Sequence, residues 1–113
     1  TAFTASDFGR TLSSNGDGSD HGWGSHHFMV GGAVKGRAFY GKAPPVSITN
    51  TADANDQWHV GQGRLLPSTS VDQYAAILAK WFGVSNTELA GVLPNLSHFG
   101  GADYPTDLGF MAA

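Results

Sequence analysis

Residues 7–27 constrain the fold of this chain most strongly, because five of these 21 residues are glycine. Glycine adopts turn conformations readily and weakens regular helices and strands, so we expect a polar loop that runs to about His26. The preceding residues 1–6 (TAFTAS) are typical of the end of a short strand, since Thr and Phe favour extended structure. The sequence therefore predicts a strand that opens into a long glycine-rich loop.

Two further segments have weaker strand character. Residues 27–34 (HFMVGGAV) predict a second strand interrupted by glycines, and residues 37–40 are a third, weak candidate. Residues 43–58 predict a loop that is long for a compact domain, so we expect it to be functional or packed against a partner. The chain thus divides into a strand-and-loop part (1–42), a long loop (43–66) and a helical part (67–113).

A helix is the clearest element of the sequence. Apolar residues recur with helical spacing and predict one buried stripe, formed by Val71, Tyr74, Ala75, Leu78 and Phe82. Ser70 with Gln73 three residues later predicts a capping box, and Gly83 predicts the end of the helix. A second short helix is expected to start at Ser85, to use Glu88 in another capping box and to end before Pro94.

Strands that precede helices in 113 residues predict a single domain, or part of one. The strands are too few for a self-contained parallel sheet, which needs helices on both faces and several crossovers. We therefore expect an α/β fold, specifically the C-terminal portion of an α/β/α sandwich with a mostly parallel sheet that is incomplete here.

The composition excludes several classes of function. The net charge is −3 and the six Lys and Arg residues are scattered, which argues against nucleic acid as a partner. No apolar run reaches the length of a membrane span, and no signal peptide is recognisable. The absence of cysteine excludes disulfides and thiolate metal sites. A non-Met first residue, Thr1, leads us to expect that upstream sequence was removed.

Three of the five histidines fall within seven positions of the glycine-rich loop, among carboxylates. Imidazole and carboxylate groups are ligands for divalent metal ions, and the candidate ligands are Asp7, Asp20, His21, His26 and His27. Neighbouring residues of a regular strand face opposite ways, so at most one of the last two histidines is expected to be a ligand. For Asp7 an equally good alternative is a structural role, in which it caps the turn.

Arg10 and Thr11 follow Asp7 and are candidates for substrate binding. A guanidinium beside a metal site can hold phosphate or sulfate through two parallel hydrogen bonds. The alternative is that Arg10 forms an ordinary salt bridge on the surface. These residues predict an anionic small molecule as the substrate, and a weaker signal from Asp53, Asp56 and Trp58 adds a glycan as the alternative.

The motifs DFGRT and DHGWG, in that order, carry a resemblance that extends over nearly the whole chain through GGAVKG, GRLLP, TSVDQYAAILAKWFGV and DLGFMA. The chain resembles the C-terminal part of a widespread bacterial family of unknown function, grouped with the sulfatases in the alkaline phosphatase-like superfamily. Members of that family are often exported by the twin-arginine route, which implies a periplasmic or secreted protein.

The resemblance implies a two-metal hydrolytic site with zinc, manganese, calcium or magnesium, at the carboxyl ends of the strands. Asp7 would match a carboxylate ligand that follows a late strand, and His21 would match the late histidine ligand. Asp20 and His26 are weaker candidates, and Arg10 would face the substrate anion. The resemblance also implies that the nucleophile and the first metal carboxylate belong to an N-terminal half.

Three functions therefore remain open. The first is a metal-dependent hydrolase of phosphate or sulfate esters, of which this chain holds the C-terminal portion of the site. The second is a small stand-alone metal-binding protein or metalloenzyme, in which histidines hold zinc or copper. The third is a non-enzymatic interaction fragment that associates with a missing N-terminal half or forms a homo-oligomer.

Overall fold

A computed structural model describes residues 1–112 and shows a mixed α/β protein with short strands and short helices. The chain forms two compact units, and each is built from separate stretches of sequence. The first unit comprises Thr1–Ala2, Met29–Lys42 and the residues from Thr69 onward, and the second comprises Phe3–Phe28 and Ala43–Ser68. No helix among residues 1–112 is long and apolar enough to cross a membrane.

The first unit contains both α-helices, and their boundaries confirm the sequence prediction. Helix α1 spans Val71–Phe82, with both hydrogen bonds of the Ser70–Gln73 capping box, and it ends at Gly83 in a left-handed conformation. Helix α2 spans Asn86–Val92, and Ser85 and Glu88 form the second capping box. A short 3₁₀ helix, Pro94–His98, follows directly. The polar side chains at the helix starts thus determine where both helices begin.

The buried face of α1 differs from the predicted stripe. Gln73, Ala76 and Ile77 are buried, whereas Val71 is 74% exposed and Phe82 is 85% exposed. Leu78 is buried as predicted and Tyr74 is half-buried. Gln73 occupies the interior because its Oε1 accepts from the Ser70 N–H and its Nε2 donates to the Pro105 carbonyl. A fully hydrogen-bonded amide tolerates burial, so the helix can turn this face inward.

Phe110 is the centre of the first unit's core. It is fully buried and packs with Ile77 and Leu78, while Tyr40 and Tyr74 contact its ring at 6.0 and 5.9 Å between centroids. Backbone hydrogen bonds hold the segment in place, from the Lys35 N–H to the Phe110 carbonyl and from the Ala112 N–H to the Ala33 carbonyl. The strands β1 (Ala2–Phe3) and β4 (Met29–Val30) pair with each other.

The second unit contains a β-hairpin where the sequence predicted a polar loop, so that prediction was wrong. Strand β2 (Gly9–Ser14) pairs antiparallel with β3 (Ser19–Gly22). Arg10 lies opposite His21 and Ser14 opposite Ser19, so four steps along β2 match only two along β3. This bulge frees the Leu12 N–H, which donates to the Gly63 carbonyl instead. The parallel sheet expected from the sequence is not seen among residues 1–112.

The remaining expected elements are corrected in part. Residues 27–34 hold only the two-residue strand β4, and residues 37–40 form no strand. The long loop is confirmed over residues 43–53 and ends in a 3₁₀ helix, Ala54–Trp58. Its order comes from Asp56, a buried carboxylate whose two oxygens accept hydrogen bonds from the hydroxyls of Ser47, Thr49 and Thr51.

The His59 side chain also holds this loop, through hydrogen bonds at both of its ring nitrogens. The Gly63 N–H donates to its Nε2 at 2.8 Å, while its Nδ1 lies 3.0 Å from the Thr49 carbonyl and 2.9 Å from Asn50 Oδ1. Because two of these partners are acceptors and the third is a donor, the proton is assigned to Nδ1. This buried histidine therefore has a structural role in the loop.

Candidate functional site

The β2–β3 hairpin positions the residues that carry chemistry. Gly9 makes this possible, because a Cβ at that position would lie 1.7 Å from the Gly24 carbonyl oxygen. Only glycine permits this close approach of two backbone segments. Gly9 of DFGRT and Gly24 of DHGWG thus allow the two motifs to lie in contact. Arg10 and His21, which belong to these two motifs, carry the candidate functional side chains.

Arg10 and His21 are direct cross-strand neighbours on the hairpin. Side chains at directly opposed positions lie on the same face of a two-stranded sheet. Both also contact one ring, that of Phe8: its centroid is 3.8 Å from the His21 imidazole centroid with 11° between the planes, and 5.0 Å from the Arg10 Cζ. We call these three residues the Arg10–Phe8–His21 cluster.

The Arg10 guanidinium is held at one end and open at the other. Its Nη1 donates to the Ser19 carbonyl at 2.7 Å, and the Phe8 ring attracts its charge. No carboxylate forms an ion pair with it among residues 1–112, so the surface salt bridge that was the alternative is not seen. A shallow open concavity adjoins Arg10 and is lined also by Asn15, Asp17, Gly18 and Ser19.

His21 differs from His27 and His59 of the second unit in its hydrogen bonding, whereas His26, which does not contact the Phe8 ring, shares its lack of a ring hydrogen bond within the described residues. His21 is exposed, and within the described residues neither of its ring nitrogens takes part in a hydrogen bond. By contrast, both nitrogens of His59 are engaged, and His27 Nδ1 lies 3.2 Å from Thr4 Oγ1. His21 therefore combines a ring plane fixed by stacking with two available nitrogen atoms.

The other predicted residues have different positions. Asp7 is exposed, and the turn that it would cap in the structural alternative is bridged by Ser6, whose Oγ donates to the Phe8 carbonyl. Asp20 Oδ1 accepts from the Asn15 side chain at 2.8 Å, and so supports the hairpin turn. His26 is exposed. Across residues 1–112 no three histidine, aspartate or glutamate side chains are grouped so that they could hold a metal ion.

Thr11 is buried, and its hydroxyl is used within the hairpin. It donates to the Ser13 carbonyl at 2.8 Å and accepts from the Asp20 N–H at 3.1 Å. These bonds stabilise the bulge of β2, so the contacts give Thr11 a structural role and do not support substrate binding. The metal ligands and the substrate contacts otherwise stay predictions.

Sequence reasoning missed two contributors to this site. Phe8 was passed over as the apolar member of DFGRT, although its position two residues before Arg10 places it on the same face of an extended chain. The hairpin was missed too, although Asn15-Gly16 is a strong turn signal and Gly16 has a φ of 104°. That dipeptide, taken as a hairpin turn, would have placed Arg10 opposite the DHGWG segment.

The chain belongs to a family of proteins of unknown function (DUF1501), which matches residues 1–91. The match includes the hairpin, the Asp56 loop, all of α1 and most of α2. It confirms the bacterial family of unknown function that the motifs resembled. No similar curated protein and no similar solved structure was found.

Proposed function

We propose that this chain forms part of the active site of a hydrolase that acts on phosphate or sulfate esters. The Arg10–Phe8–His21 cluster carries the proposal, because it places a guanidinium and an unengaged imidazole side by side on one exposed face. The resemblance to the sulfatase-like members of the alkaline phosphatase-like superfamily supports the same reaction class. It also supports an α/β/α sandwich with a parallel sheet, and a periplasmic or secreted location.

Arg10 supplies the contact to the substrate anion. A guanidinium remains charged at every physiological pH, and its planar fork matches two oxygens of a phosphate or sulfate group. Nη1 is committed to the Ser19 carbonyl, which leaves other N–H groups of the fork for a ligand. The absence of a carboxylate ion partner among the described residues means that no internal competitor must be displaced.

His21 supplies a nitrogen that can donate or accept a proton, or bind a divalent metal ion. The described residues do not complete a metal site by themselves. We propose instead that Asp7, His21 and the weaker candidates Asp20 and His26 act together with groups of an N-terminal half, as the resemblance implies. Zinc, manganese, calcium and magnesium are the metals that such a site would take.

The test is hydrolysis of an aryl phosphate and an aryl sulfate by the natural protein that contains this sequence. We expect turnover of at least one substrate, loss of turnover with a chelator, and recovery when zinc, manganese, calcium or magnesium is restored. His21→Ala should abolish the chelator-sensitive activity, whereas His98→Ala, at an exposed histidine of the first unit, should retain it. Absence of any chelator-sensitive turnover would remove the proposal.

A second candidate function, association with a partner, is favoured by the open apolar stripe on α1. Val71 and Phe82, eleven residues apart, lie on the same side of α1, and both are largely exposed. A helix that is apolar on two faces is typical of one packed between two layers. We propose that a further layer of the same α/β fold covers the stripe in the complete protein.

Light scattering on the 113-residue chain tests this association. We expect the isolated chain to self-associate as its concentration rises, because the stripe lacks its covering layer. The double variant Val71→Ser/Phe82→Ser should remain monomeric, while Val46→Ser, an exposed valine of the second unit, should behave like the unmodified chain. A monomer at all concentrations in the unmodified chain would contradict this second function.

A further inference from the structure

The stacked ring of Phe8 is the one member of the Arg10–Phe8–His21 cluster that has no chemistry of its own. We propose that Phe8 is a positioning residue, which holds Arg10 and His21 so that a single phosphate or sulfate group contacts both. This inference rests on the proposed function, since it concerns how that same site binds its anion.

The backbone around Phe8 is fixed on both sides. Before it, Ser6 Oγ bonds to both the carbonyl and the N–H of Phe8, at 2.7 and 3.3 Å. After it, Gly9 lies against the Gly24 carbonyl with no room for a Cβ. The Phe8 side chain is also half-buried. The Phe8 ring is therefore attached to a constrained backbone, and it can serve as a fixed surface for Arg10 and His21.

Arg10 and His21 are both exposed, and the Phe8 ring is the contact that they share. His21 is exposed and has no hydrogen bond to fix its imidazole, so the near-parallel contact with Phe8 is what defines its ring plane. Arg10 has a long side chain, whose guanidinium is fixed by the Ser19 carbonyl and by the Phe8 ring. Ordering both groups in advance lowers the entropy lost when an anion binds.

Phosphate binding by the 113-residue chain, followed by NMR with inorganic phosphate as the probe, tests the role of Phe8. In the unmodified chain we expect His21 ring protons shifted upfield by the Phe8 ring, and phosphate-induced shifts at both Arg10 and His21. Phe8→Leu should abolish the upfield shift and weaken phosphate binding about 3- to 10-fold, the value of an aromatic pair expressed as affinity.

Two variants serve as controls for this experiment. Phe8→Tyr keeps the ring and should restore both the upfield shift and the affinity to within about twofold. Phe39→Leu removes a fully exposed ring of the first unit and should change neither. If Phe8→Leu does not fold, the His21 ring-proton shifts and the phosphate-induced shifts at Arg10 and His21 in the unmodified chain still decide the question.

Several results would overturn the inference: equal phosphate affinity of Phe8→Leu and the unmodified chain, unshifted His21 ring protons, or no phosphate-induced shift at Arg10 and His21. Failure of the proposed function gives a different pattern. Phosphate binding that depends on Phe8, in a protein that hydrolyses no ester, would remove the hydrolase and leave the positioning role. Ester hydrolysis that is unchanged in Phe8→Leu would remove the positioning role of Phe8 and leave the hydrolase.

Discussion

At the scale of single residues, the DFGRT and DHGWG motifs combine two kinds of position. Gly9 allows two backbone segments to touch, and Thr11 stabilises the bulge of β2. Arg10 and His21 project from this framework with unused hydrogen-bonding capacity. The residue types of Arg10 and His21 pointed to an anion and a metal from the sequence alone. The structural role of Thr11 did not follow, because it depends on a bulge that no local pattern encodes.

Gly9→Ala should destabilise the second unit. The added methyl group would overlap the Gly24 carbonyl oxygen, and backbone atoms cannot move aside as a flexible side chain can. We expect a loss of about 3 kcal/mol in the free energy of unfolding, the upper end for overpacking. Gly18→Ala, where a Cβ would have open space, is the matched control. Urea denaturation measures both, and equal stability of the two variants would contradict the close contact.

Asp56 should make the stability of the chain sensitive to acid. Hydrogen bonds from Ser47, Thr51 and Thr49 hold the pKa of its carboxyl well below the ordinary value. Because the pKa is lower in the folded state than in the unfolded state, the stabilisation is complete above about pH 5. It is lost as the pH falls through the ordinary value near 4 towards the folded value.

Thermal unfolding between pH 7 and pH 2 measures this effect. The unmodified chain should lose stability steeply below about pH 4. Asp56→Asn should be less stable at neutral pH, with a flatter profile on acidification, whereas Asp103→Asn, at an exposed aspartate, should follow the unmodified chain. Parallel profiles for Asp56→Asn and the unmodified chain would show that this carboxylate does not organise the loop.

At the scale of elements, the sequence predicted the helices better than the strands. The two capping boxes and Gly83 are local sequence signals. They predicted the start of both helices and the end of α1. The buried face of α1 was not local, because it depends on Gln73 finding the Pro105 carbonyl 32 positions away. The hairpin strands carry almost no apolar alternation, so only the Asn15-Gly16 turn signalled them.

The orientation of α1 leads to a paired prediction. Ile77→Ala removes a buried side chain next to Phe110 and should cost about 2–4 kcal/mol of unfolding free energy. Val71→Ala changes an exposed position and should alter stability by no more than about 0.5 kcal/mol. Chemical denaturation of both variants checks the result. A larger loss of unfolding free energy for Val71→Ala than for Ile77→Ala would indicate that the stripe predicted from the sequence is the buried face.

At the scale of the whole molecule, the described residues form little apolar core relative to the apolar surface they expose. The buried hydrophobic residues are Ala76, Ile77, Leu78, Leu89 and Phe110, and all belong to the first unit. The second unit is ordered by polar groups instead, above all Asp56 and His59. Family membership and a mixed α/β character were predictable from the motifs and the order of elements. The division into two units was not predictable, because each unit is built from stretches that are distant in sequence.

The proposed contact between Arg10 and the anionic group of an ester substrate is measured by the kinetics of Arg10→Ala in the natural protein. We expect kcat/KM for an aryl phosphate or aryl sulfate to fall about a hundredfold, as for loss of one preorganised donor to developing charge. Arg37→Ala, at another exposed arginine, should leave kcat/KM within about twofold of the unmodified protein. Unchanged kcat/KM in Arg10→Ala, equal to that of Arg37→Ala, would show that Arg10 does not contact the substrate anion.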